Sequence, residues 1–291
     1  MKSAVIAIVG RPSSGKSTLI TALCGGKVSI VSPVPQTTRN RVRGILTTEA
    51  GQIVFIDTPG FHLSEKKFNR YMTDLVSSTI AETDLALYVV DGTRAVGEEE
   101  RALLTALRRY SRPIVACLNK VDSGSASWAE VKAQVEAELP QVPLLEISAL
   151  KSIGLEALRE RLFALCPEGD QMYPPDYYTD QTPEFRVAEI VREKAMLQTR
   201  EEVPHALYVR IEDLEMRDDG ATLWVRGFIC VERESQKGIV VGRGGDRIRE
   251  IVREAEKELN DIFPYAVKLD MRVKVDHQWR KRDPLLRKMI R

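Results

Sequence analysis

The feature that most limits the fold is an alternation of short apolar runs and helical patterns over residues 1–165. The apolar runs are rich in Val, Ile and Leu and end in polar residues or glycine; they cover 4–10, 52–60, 85–92, 113–122 and 143–150. Helical patterns between them include 17–23, 98–109, 128–138 and 154–165. Continuous apolar strands separated by helices predict an α/β domain with a mainly parallel sheet and helices on both faces. In such sheets the ligand binds beyond the carboxyl ends of the strands.

A change of composition divides the chain. Residues 166–184 contain four of the fourteen prolines and show little helical or strand pattern, which is typical of a linker. The order then becomes helix, two strands joined at Asp219-Gly220, helix, glycine-rich turn, helix and strand, which predicts a smaller α+β domain. We therefore predict a first domain over 1–167, a linker over 168–184 and a second domain over 185–291 with a basic tail.

Composition excludes several classes of protein. The formal net charge of +1 means that the chain is not a polycation, so any nucleic-acid surface must come from local charge. The four cysteines are far apart and form no C-x-x-C pair, which disfavours a disulfide framework or a metal site and favours reduced thiols in the cytoplasm. No segment is long and apolar enough to predict a transmembrane helix.

The stretch "GRPSSGKST" follows the first predicted strand and fits the phosphate-loop pattern G-x-x-x-x-G-K-[ST]. Glycines allow the backbone to wrap phosphates, the Lys16 ammonium would neutralise the β- and γ-phosphates, and the Ser17 hydroxyl would ligate Mg²⁺. The candidate nucleotide-binding residues of this loop are Gly10, Arg11, Pro12, Ser13, Ser14, Gly15, Lys16, Ser17 and Thr18.

Two later stretches predict that the base is guanine. In "NKVD", the Asp122 carboxylate can accept hydrogen bonds from N1–H and the 2-amino group of guanine, neither of which adenine offers. Lys120 can cover the ring and Asn119 can bridge loops. In "SAL", at the next strand end, a backbone N–H of Ser148, Ala149 or Leu150 can reach the guanine carbonyl.

Between these stretches lie two candidates for sensing the γ-phosphate. In "DTPG" (Asp57, Thr58, Pro59 and Gly60), Asp57 would hold Mg²⁺ through water and the Gly60 N–H would meet the γ-phosphate. In "PQTTRN" (35–40), a threonine can ligate Mg²⁺ while GTP is bound; Thr38 is the first choice and Thr37 the second. The candidate catalytic residues are Lys16, Thr38 and Gly60, and the candidate magnesium ligands are Ser17, Thr38 and Asp57.

The residues after "DTPG" predict slow intrinsic hydrolysis. Some GTPases orient the attacking water with a glutamine there, whereas this chain has Phe61 and His62. Phenylalanine cannot orient water by a hydrogen bond, and a lone histidine on a loop is more often simply solvated. A partner or a monovalent cation is therefore expected to accelerate the reaction.

With the C-terminal stretch "VVGRGGDRI" added to these motifs, the chain resembles the Era family of bacterial GTPases over essentially its whole length. The resemblance implies a P-loop GTPase domain followed by a type II KH domain. It implies GTP, GDP and Mg²⁺ as ligands, binding to the 3′ end of 16S ribosomal RNA, and a role in maturation of the small (30S) ribosomal subunit.

In a KH domain a G-x-x-G turn between two helices clamps the backbone of a single strand. Here that turn is 242–245, and Arg243 can touch phosphate. The candidate RNA-binding residues are Ile239, Val241, Gly242, Arg243, Gly244, Gly245, Arg247 and Ile248. Residues 268–291 hold nine basic and three acidic side chains, and Trp279 among them is either a stacking residue or a packing residue. The basic tail leaves peripheral attachment to the inner membrane as an alternative to a purely cytoplasmic location.

Two points stay open at this stage. Relatives that use K⁺ to accelerate hydrolysis commonly carry Asn where this chain has Ser13, and a hydroxyl is a poorer ligand than an amide oxygen, so we expect little difference between rates in potassium and in sodium. The leading hypothesis is a GTP-driven switch that binds ribosomal RNA. The alternatives are an RNA-binding factor with a structural nucleotide and, disfavoured by "NKVD", a P-loop kinase of a small metabolite.

Overall fold

The computed structural model describes residues 1–35, 37–61 and 78–282. These residues form two compact units, and the chain passes from the first unit to the second between Asp180 and Gln181. The strands of the first unit are β1 Lys2–Val9, β2 Val42–Thr48, β3 Gly51–Asp57, β4 Leu85–Asp91, β5 Ile114–Asn119 and β6 Leu144–Glu146. The helices that lie wholly within its described residues are α1 Lys16–Cys24, α2 Glu98–Arg108, α3 Trp128–Glu138 and α4 Leu155–Leu165.

The six strands form one sheet in the order β2-β3-β1-β4-β5-β6. All neighbours are parallel except β2 and β3, which pair antiparallel. Every residue of β3 and β4 is buried, as expected of strands covered on both faces. The sheet therefore confirms the predicted α/β class.

Strand β2 is an addition to the five strands that the sequence predicts. Its apolar run is interrupted by Arg43 and Gly44, which weakens the strand signal. Gly44 is required there because a Cβ atom would lie 2.8 Å from the side chain of Ile20 on α1. This edge strand connects "PQTTRN" to the sheet.

Part of the predicted linker is bound to the first unit. Gln52 of β3 is fully buried, and its side-chain oxygen accepts hydrogen bonds from the backbone N–H groups of Met172 (2.8 Å) and Tyr173 (2.9 Å). The carbonyl of Tyr178 accepts from Ile45 N on β2 at 2.9 Å. Residues up to Asp180 thus belong to the first compact unit, although 168–184 is the linker predicted from composition.

The second unit contains a three-stranded sheet and helices. Its helices are α5 Pro183–Leu197, the short α6 Val203–Ala206, α7 Glu234–Val241 and α8 Asp246–Ile262. Its strands are β7 Tyr208–Arg217, β8 Thr222–Val231 and β9 Ala266–Val275, in the order β7-β8-β9. β7 and β8 form the predicted antiparallel hairpin, whereas β8 and β9 are parallel.

One face of this sheet carries the core of the second unit. Leu223, Val225 and Ile229 alternate along β8 and are fully buried or nearly so. On α8 the buried residues Ile251, Ala255 and Leu259 recur every four positions, which gives the helix one apolar stripe. The element order agrees with the predicted α+β domain, with α6 as an addition.

Across residues 1–35, 37–61 and 78–282, no helix has the length and apolarity needed to cross a membrane.

Candidate functional site

The phosphate loop lies between β1 and α1, at the carboxyl end of the sheet, where it was predicted. Gly15 adopts φ 97°, and a Cβ atom there would lie 2.2 Å from the side-chain nitrogen of Asn119. A Cβ at Gly10 would lie 2.3 Å from the carbonyl oxygen of Val89. Both positions therefore require glycine, and the loop is closely packed against β4 and β5.

Lys16 is held inside this loop. Its Nζ donates hydrogen bonds to the carbonyl oxygens of Gly10 (3.0 Å) and Arg11 (2.9 Å). Burial lowers the pKa of Lys16 to about 8, while the charges of Asp57 and Glu100 act to raise it. Because burial makes the charged form of this ammonium group costly, an anionic ligand beside it would stabilise that form strongly. This agrees with the role predicted for Lys16, which is to neutralise phosphate charge.

The predicted magnesium ligands meet at one point. Ser17 Oγ donates to Asp57 Oδ2 at 2.8 Å and lies 2.9 Å from Thr38 Oγ1. Asp57 Oδ1 is buried and has no hydrogen-bond partner among the residues that the structure describes. Two hydroxyl groups and a carboxylate with an unpaired buried oxygen fit Mg²⁺, which prefers hard oxygen ligands.

The two threonines of "PQTTRN" occupy different places. Thr38 lies in the oxygen cluster, whereas Thr37 Oγ1 donates to the carbonyl of Val34 at 2.6 Å and lies 2.7 Å from Ser32 Oγ. This geometry favours the first choice, Thr38, over Thr37. Gln36 lies outside the described residues.

The side chain of Asn119 joins the three stretches that were predicted to hold nucleotide. Its Nδ2 donates to the carbonyl of Ser14 in the phosphate loop at 2.9 Å. Its Oδ1 accepts from the backbone N–H of Ala149 in "SAL" at 2.9 Å. Since Asn119 is buried, these two bonds fix the distance between the phosphate end and the base end of the site.

The residues predicted to contact the base are arranged around Asn119. Lys120 Nζ donates to the carbonyl of Ser13 and to Asp91 Oδ2, each at 2.8 Å. The carboxylate-bearing residue Asp122 is exposed, and Leu150 is 74% exposed. Ser148 is buried, and its Oγ accepts from the N–H of Lys151. The sequence analysis did not predict Asp91 as a site residue. Its position at the carboxyl end of β4, where ligands bind in such sheets, is the sequence signal that could have identified it.

"DTPG" lies directly against the phosphate loop. Thr58 Oγ1 donates to the carbonyl of Ile8 at 2.7 Å, and Phe61 N donates to the carbonyl of Gly10 at 3.1 Å. A Cβ atom at Gly60 would lie 2.5 Å from Cα of Pro12, so only glycine fits there. Pro59 joins Thr58 to Gly60 and is buried. His62 lies outside the described residues.

These elements enclose a cleft of about 470 Å³. Its lining includes Pro12, Ser13, Gly15, Lys16, Ser17, Thr18, Thr38, Gly60 and Lys120, all of them predicted site residues. The segment 30–34 and Thr37 complete the wall. Segment 30–34 was not predicted because a short apolar stretch next to polar residues carries no motif. The lining thus brings together residues predicted to contact phosphate, Mg²⁺ and, through Lys120, the base, whereas the predicted residues Asp57, Asn119, Asp122 and 148–150 are not among the lining residues.

A buried ion pair supports the loop from behind, and the sequence did not predict it. Arg11 Nε lies 2.6 Å from Glu100 Oε2, and the two side chains are 7% and 1% exposed. The hydroxyl of Tyr88 donates to Glu100, and Arg11 Nη1 donates to the carbonyl of Ala95 at 3.2 Å. Burial raises the pKa of Glu100, with the Tyr88 hydroxyl and the Arg11 charge acting against it. The loop is therefore tied to β4 and α2.

The second glycine-rich turn lies between α7 and α8. Its three glycines have left-handed backbone: Gly242 at φ 75°, Gly244 at φ 60° and Gly245 at φ 80°. A Cβ atom at Gly242 would lie 2.9 Å from the backbone nitrogen of Arg247, whereas one at Gly244 would meet nothing within 4 Å. The turn therefore brings bare backbone to the surface at its tip.

The residues flanking the turn differ in their solvent exposure and in whether their side chains already make hydrogen bonds. Arg243 is exposed and Ile239 is 40% exposed, while Val241 and Ile248 are half-buried. Arg247 is engaged, since its guanidinium donates to the carbonyl of Ile239. Arg249, which was not predicted, donates to the carbonyl of Gly244 at 2.8 Å.

Trp279 is a packing residue, which decides between the two roles left open by the sequence. It is fully buried, its Nε1 donates to the carbonyl of Ala206 at 2.7 Å, and its ring centroid lies 5.0 Å from that of Tyr208. The basic residues beside it are partly neutralised: Arg280 pairs with Glu232. Residues 283–291, which include three of the nine basic residues, lie outside the described part of the chain.

Comparisons with known proteins agree with the two kinds of domain. The family model for a 50S ribosome-binding GTPase matches residues 5–120, and the model for a KH domain matches residues 202–280. GTPase Era of Treponema denticola is 47% identical over 292 residues, which cover 99% of each chain.

Two solved structures have the same fold over nearly the whole chain. A variant of Aquifex aeolicus Era bound to GDP and aluminium fluoride has a TM-score of 0.94 and 36% identity, covering 99% of this chain and 98% of that one. Era in complex with Mg²⁺, GDPNP and nucleotides 1506–1542 of 16S ribosomal RNA has a TM-score of 0.94, 35% identity and the same coverage. With the phosphate loop, the guanine-specifying stretch and the G-x-x-G turn all in place, the chain belongs to the Era family of GTPases.

Proposed function

We propose that this protein is a GTP-hydrolysing switch that binds the 3′ end of 16S ribosomal RNA through its second unit and acts in maturation of the 30S subunit. The observation that carries the proposal is the presence in one chain of two separate phosphate-binding arrangements. One is a cleft of about 470 Å³ lined by the phosphate loop, Thr38 and Gly60, and the other is a G-x-x-G turn between two helices. The complex of a related Era with nucleotides 1506–1542 supports the choice of RNA.

In the first unit, the proposed roles follow from the contacts. Lys16 neutralises charge on the β- and γ-phosphates, and the N–H of Gly60, a residue packed against Pro12 of the loop, binds the γ-phosphate. Asp122 selects guanine, because its carboxylate can accept hydrogen bonds from N1–H and the 2-amino group of guanine, neither of which adenine offers. Asn119 keeps the two ends of the site at a constant separation.

Mg²⁺ fits the oxygen cluster of Ser17, Thr38 and Asp57, and when bound it supplies charge that stabilises the phosphate oxygens. Ser17 comes from α1, Asp57 from the end of β3, and Thr38 from the stretch that leads into β2. The cluster thus joins elements that are far apart in sequence. Loss of the γ-phosphate would remove an interaction that keeps Thr38 in this cluster. The position of Thr38 would then depend on whether GTP or GDP is bound.

Intrinsic hydrolysis is proposed to be slow and insensitive to potassium. Phe61, the first residue after "DTPG", is 9% exposed, packs in the core of the first unit and offers no side-chain hydrogen bond to water. Ser13 is exposed and presents a hydroxyl where an amide would be the better potassium ligand. Acceleration is therefore expected from a partner, for which the RNA of the second unit is the first choice.

The test of the RNA-binding part is cross-linking of the GTP-loaded protein to RNA in cell extract, followed by sequencing. Reads are expected to accumulate at the 3′ end of 16S RNA and to disappear in a Gly242→Asp/Gly245→Asp variant. Scattered reads in the unmodified protein would overturn the choice of RNA. A Gly25→Asp variant, at the end of α1 in the first unit, is the matched control, because Gly25 also has φ above zero and lies in open space.

The switch is tested by comparing RNA affinity with GTP and with GDP. A switch requires unequal affinities, and by linkage the RNA must change nucleotide affinity by the same factor. Equal affinities would favour the alternative, an RNA-binding factor whose nucleotide only stabilises the fold. The proposed location is the cytoplasm, with peripheral attachment to the inner membrane as the alternative; cell fractionation separates these two outcomes.

A further inference from the structure

The face of the second sheet that is turned away from the core of the second unit carries two aromatic rings covered by cations. Trp224 and Phe228 project from β8 on the side opposite to the buried residues Val225 and Ile229. They are four residues apart and therefore about 13 Å apart along the strand. Both are half-buried.

The cations lie directly over these rings. The guanidinium carbons of Arg217 and Arg226 lie 4.0 Å and 4.7 Å from the Trp224 centroid. Arg210 and Lys274 each lie 5.4 Å from the Phe228 centroid. Planar guanidinium groups and aromatic rings are the two kinds of surface on which unpaired nucleobases stack.

Strand register places further charge on the same face, called here the basic sheet face. Its cations are Arg210, Arg217, Arg226, Lys268, Arg272 and Lys274. The carboxylates of the same register positions are Asp213, Glu215 and Asp270, and Glu212 in the β7 bulge adds a fourth. Arg226 and Arg272 share Asp270, at 3.1 Å and 3.8 Å, Arg217 pairs with Glu215 at 2.8 Å, and Arg210 pairs with Glu212 at 3.7 Å. Six cations against four carboxylates leave an excess of two positive charges, although the whole chain has a net charge of only +1.

The described part of the chain covers one end of this face and leaves the other exposed. At the covered end, Tyr208 and Cys230 are buried beneath Trp279. Beyond that end, Arg210, Arg217 and Arg226 are about equally exposed, at 45%, 44% and 44% of their side chains. The aromatic residues of the open end are therefore not part of a core, in contrast to Tyr208.

We propose that the basic sheet face is a second RNA-binding surface, which takes unpaired nucleotides by stacking on Trp224 and Phe228 and contacts their phosphates with the surrounding cations. The inference rests on the proposed RNA-binding function of the second unit. A G-x-x-G turn clamps about four nucleotides, so a longer RNA leaves bases for other surfaces. The charge excess selects a polyanion, and the stacked rings select one with planar bases.

The test measures the affinity of the full-length protein for fluorescently labelled RNA of the sequence 1506–1542 by anisotropy at several salt concentrations. A Trp224→Leu/Phe228→Leu variant removes the rings and is expected to weaken binding roughly 10- to 100-fold. An Arg217→Gln/Lys274→Gln variant is expected to reduce the slope of log affinity against log salt by about 1.4, since each phosphate contact on a single strand contributes about 0.7. An Arg109→Gln/Lys132→Gln variant has the same charge change on the first unit and is expected to keep the slope of the unmodified protein.

Each outcome is decisive. If both face variants bind like the unmodified protein while Gly242→Asp/Gly245→Asp does not bind, the proposed face is wrong and RNA binding stands. If the unmodified protein binds none of this RNA, both proposals fail. If the face variants lose binding to phosphatidylglycerol vesicles but not to RNA, the face is a membrane surface and the proposal is overturned. Unchanged GTP hydrolysis in the absence of RNA shows that a variant is folded. If the aromatic variant is not folded, the RNA affinity of the charge variant decides whether the proposal holds.

Discussion

The buried pair of Arg11 and Glu100 offers a quantitative test of how the phosphate loop is supported. The two side chains lie 2.6 Å apart and are 7% and 1% exposed. Substitution Glu100→Ala would leave a guanidinium in the interior without its carboxylate. Removing one partner of a buried pair costs about 3–5 kcal/mol, because the remaining charge stays desolvated and uncompensated.

A double variant separates the effect of charge from that of packing. In Arg11→Met/Glu100→Leu, apolar side chains of similar size replace both partners, which is often neutral for stability. The hydroxyl of Tyr88, which is fully buried, loses its acceptor in both variants, at a cost of about 1–2 kcal/mol. We therefore expect the double variant to be more stable than Glu100→Ala by at least about 2 kcal/mol.

Hydrogen exchange of the full-length protein, followed by mass spectrometry on peptides from β1 and β4, measures this locally. Since 1.4 kcal/mol corresponds to a tenfold change, Glu100→Ala should speed exchange of these peptides roughly 10²- to 10³-fold. Peptides from β8 in the second unit are the internal control. If the single and double variants exchange at the same rate, the pair acts by filling space, and the reasoning from an uncompensated charge is refuted.

Three further predictions concern single positions. Ser13→Asn should create stimulation of hydrolysis by potassium, because Asn tolerates the φ of 64° at Ser13 and supplies an amide oxygen; equal rates in potassium and sodium would contradict this. Gly242→Ala should weaken RNA binding more than tenfold in anisotropy, since its Cβ meets backbone at 2.9 Å, whereas Gly244→Ala, with open space around it, should cost only about 1 kcal/mol in stability and bind RNA nearly as well. Trp279→Ala should destabilise the second unit by about 3–5 kcal/mol in hydrogen exchange, because the ring is fully buried; a loss below about 1 kcal/mol would argue against its packing role.

The sequence predicted the parts of the site that are governed by local chemistry. A phosphate loop after an apolar strand, a polar stretch at a later strand end and glycines at a helix–helix turn each need particular residues at particular spacings. Gly15 and Gly242 are such positions, because a Cβ atom there would lie 2.2–2.9 Å from neighbouring atoms and any side chain is therefore excluded. Asn119 is another, because its side-chain amide donates a hydrogen bond to the phosphate loop at 2.9 Å. Motif reasoning therefore found the elements that line the cleft and the turn.

Features that depend on partners distant in sequence were not predictable in the same way. Glu100 stands in the first turn of α2, where an exposed acidic residue is common, and its burial follows only from Arg11. Gln52 is a polar residue within a wholly buried strand, and its partners lie in the proline-rich segment. A polar side chain at such a position was a signal that something must satisfy it.

The chain has two glycine-rich loops because its two ligands set different demands. The first loop is restrained in advance by the structure: its carbonyls accept hydrogen bonds from Lys16 and Asn119, and Arg11 is tied to Glu100. Such preorganisation lowers the cost of ordering on binding and suits a ligand of constant shape. The tip of the second loop has open space around Gly244, where a strand of variable conformation can approach the backbone. An open turn leaves room for flanking surfaces to add affinity for RNA, so a variant on the basic sheet face tests how this protein holds RNA separately from variants of the turn itself.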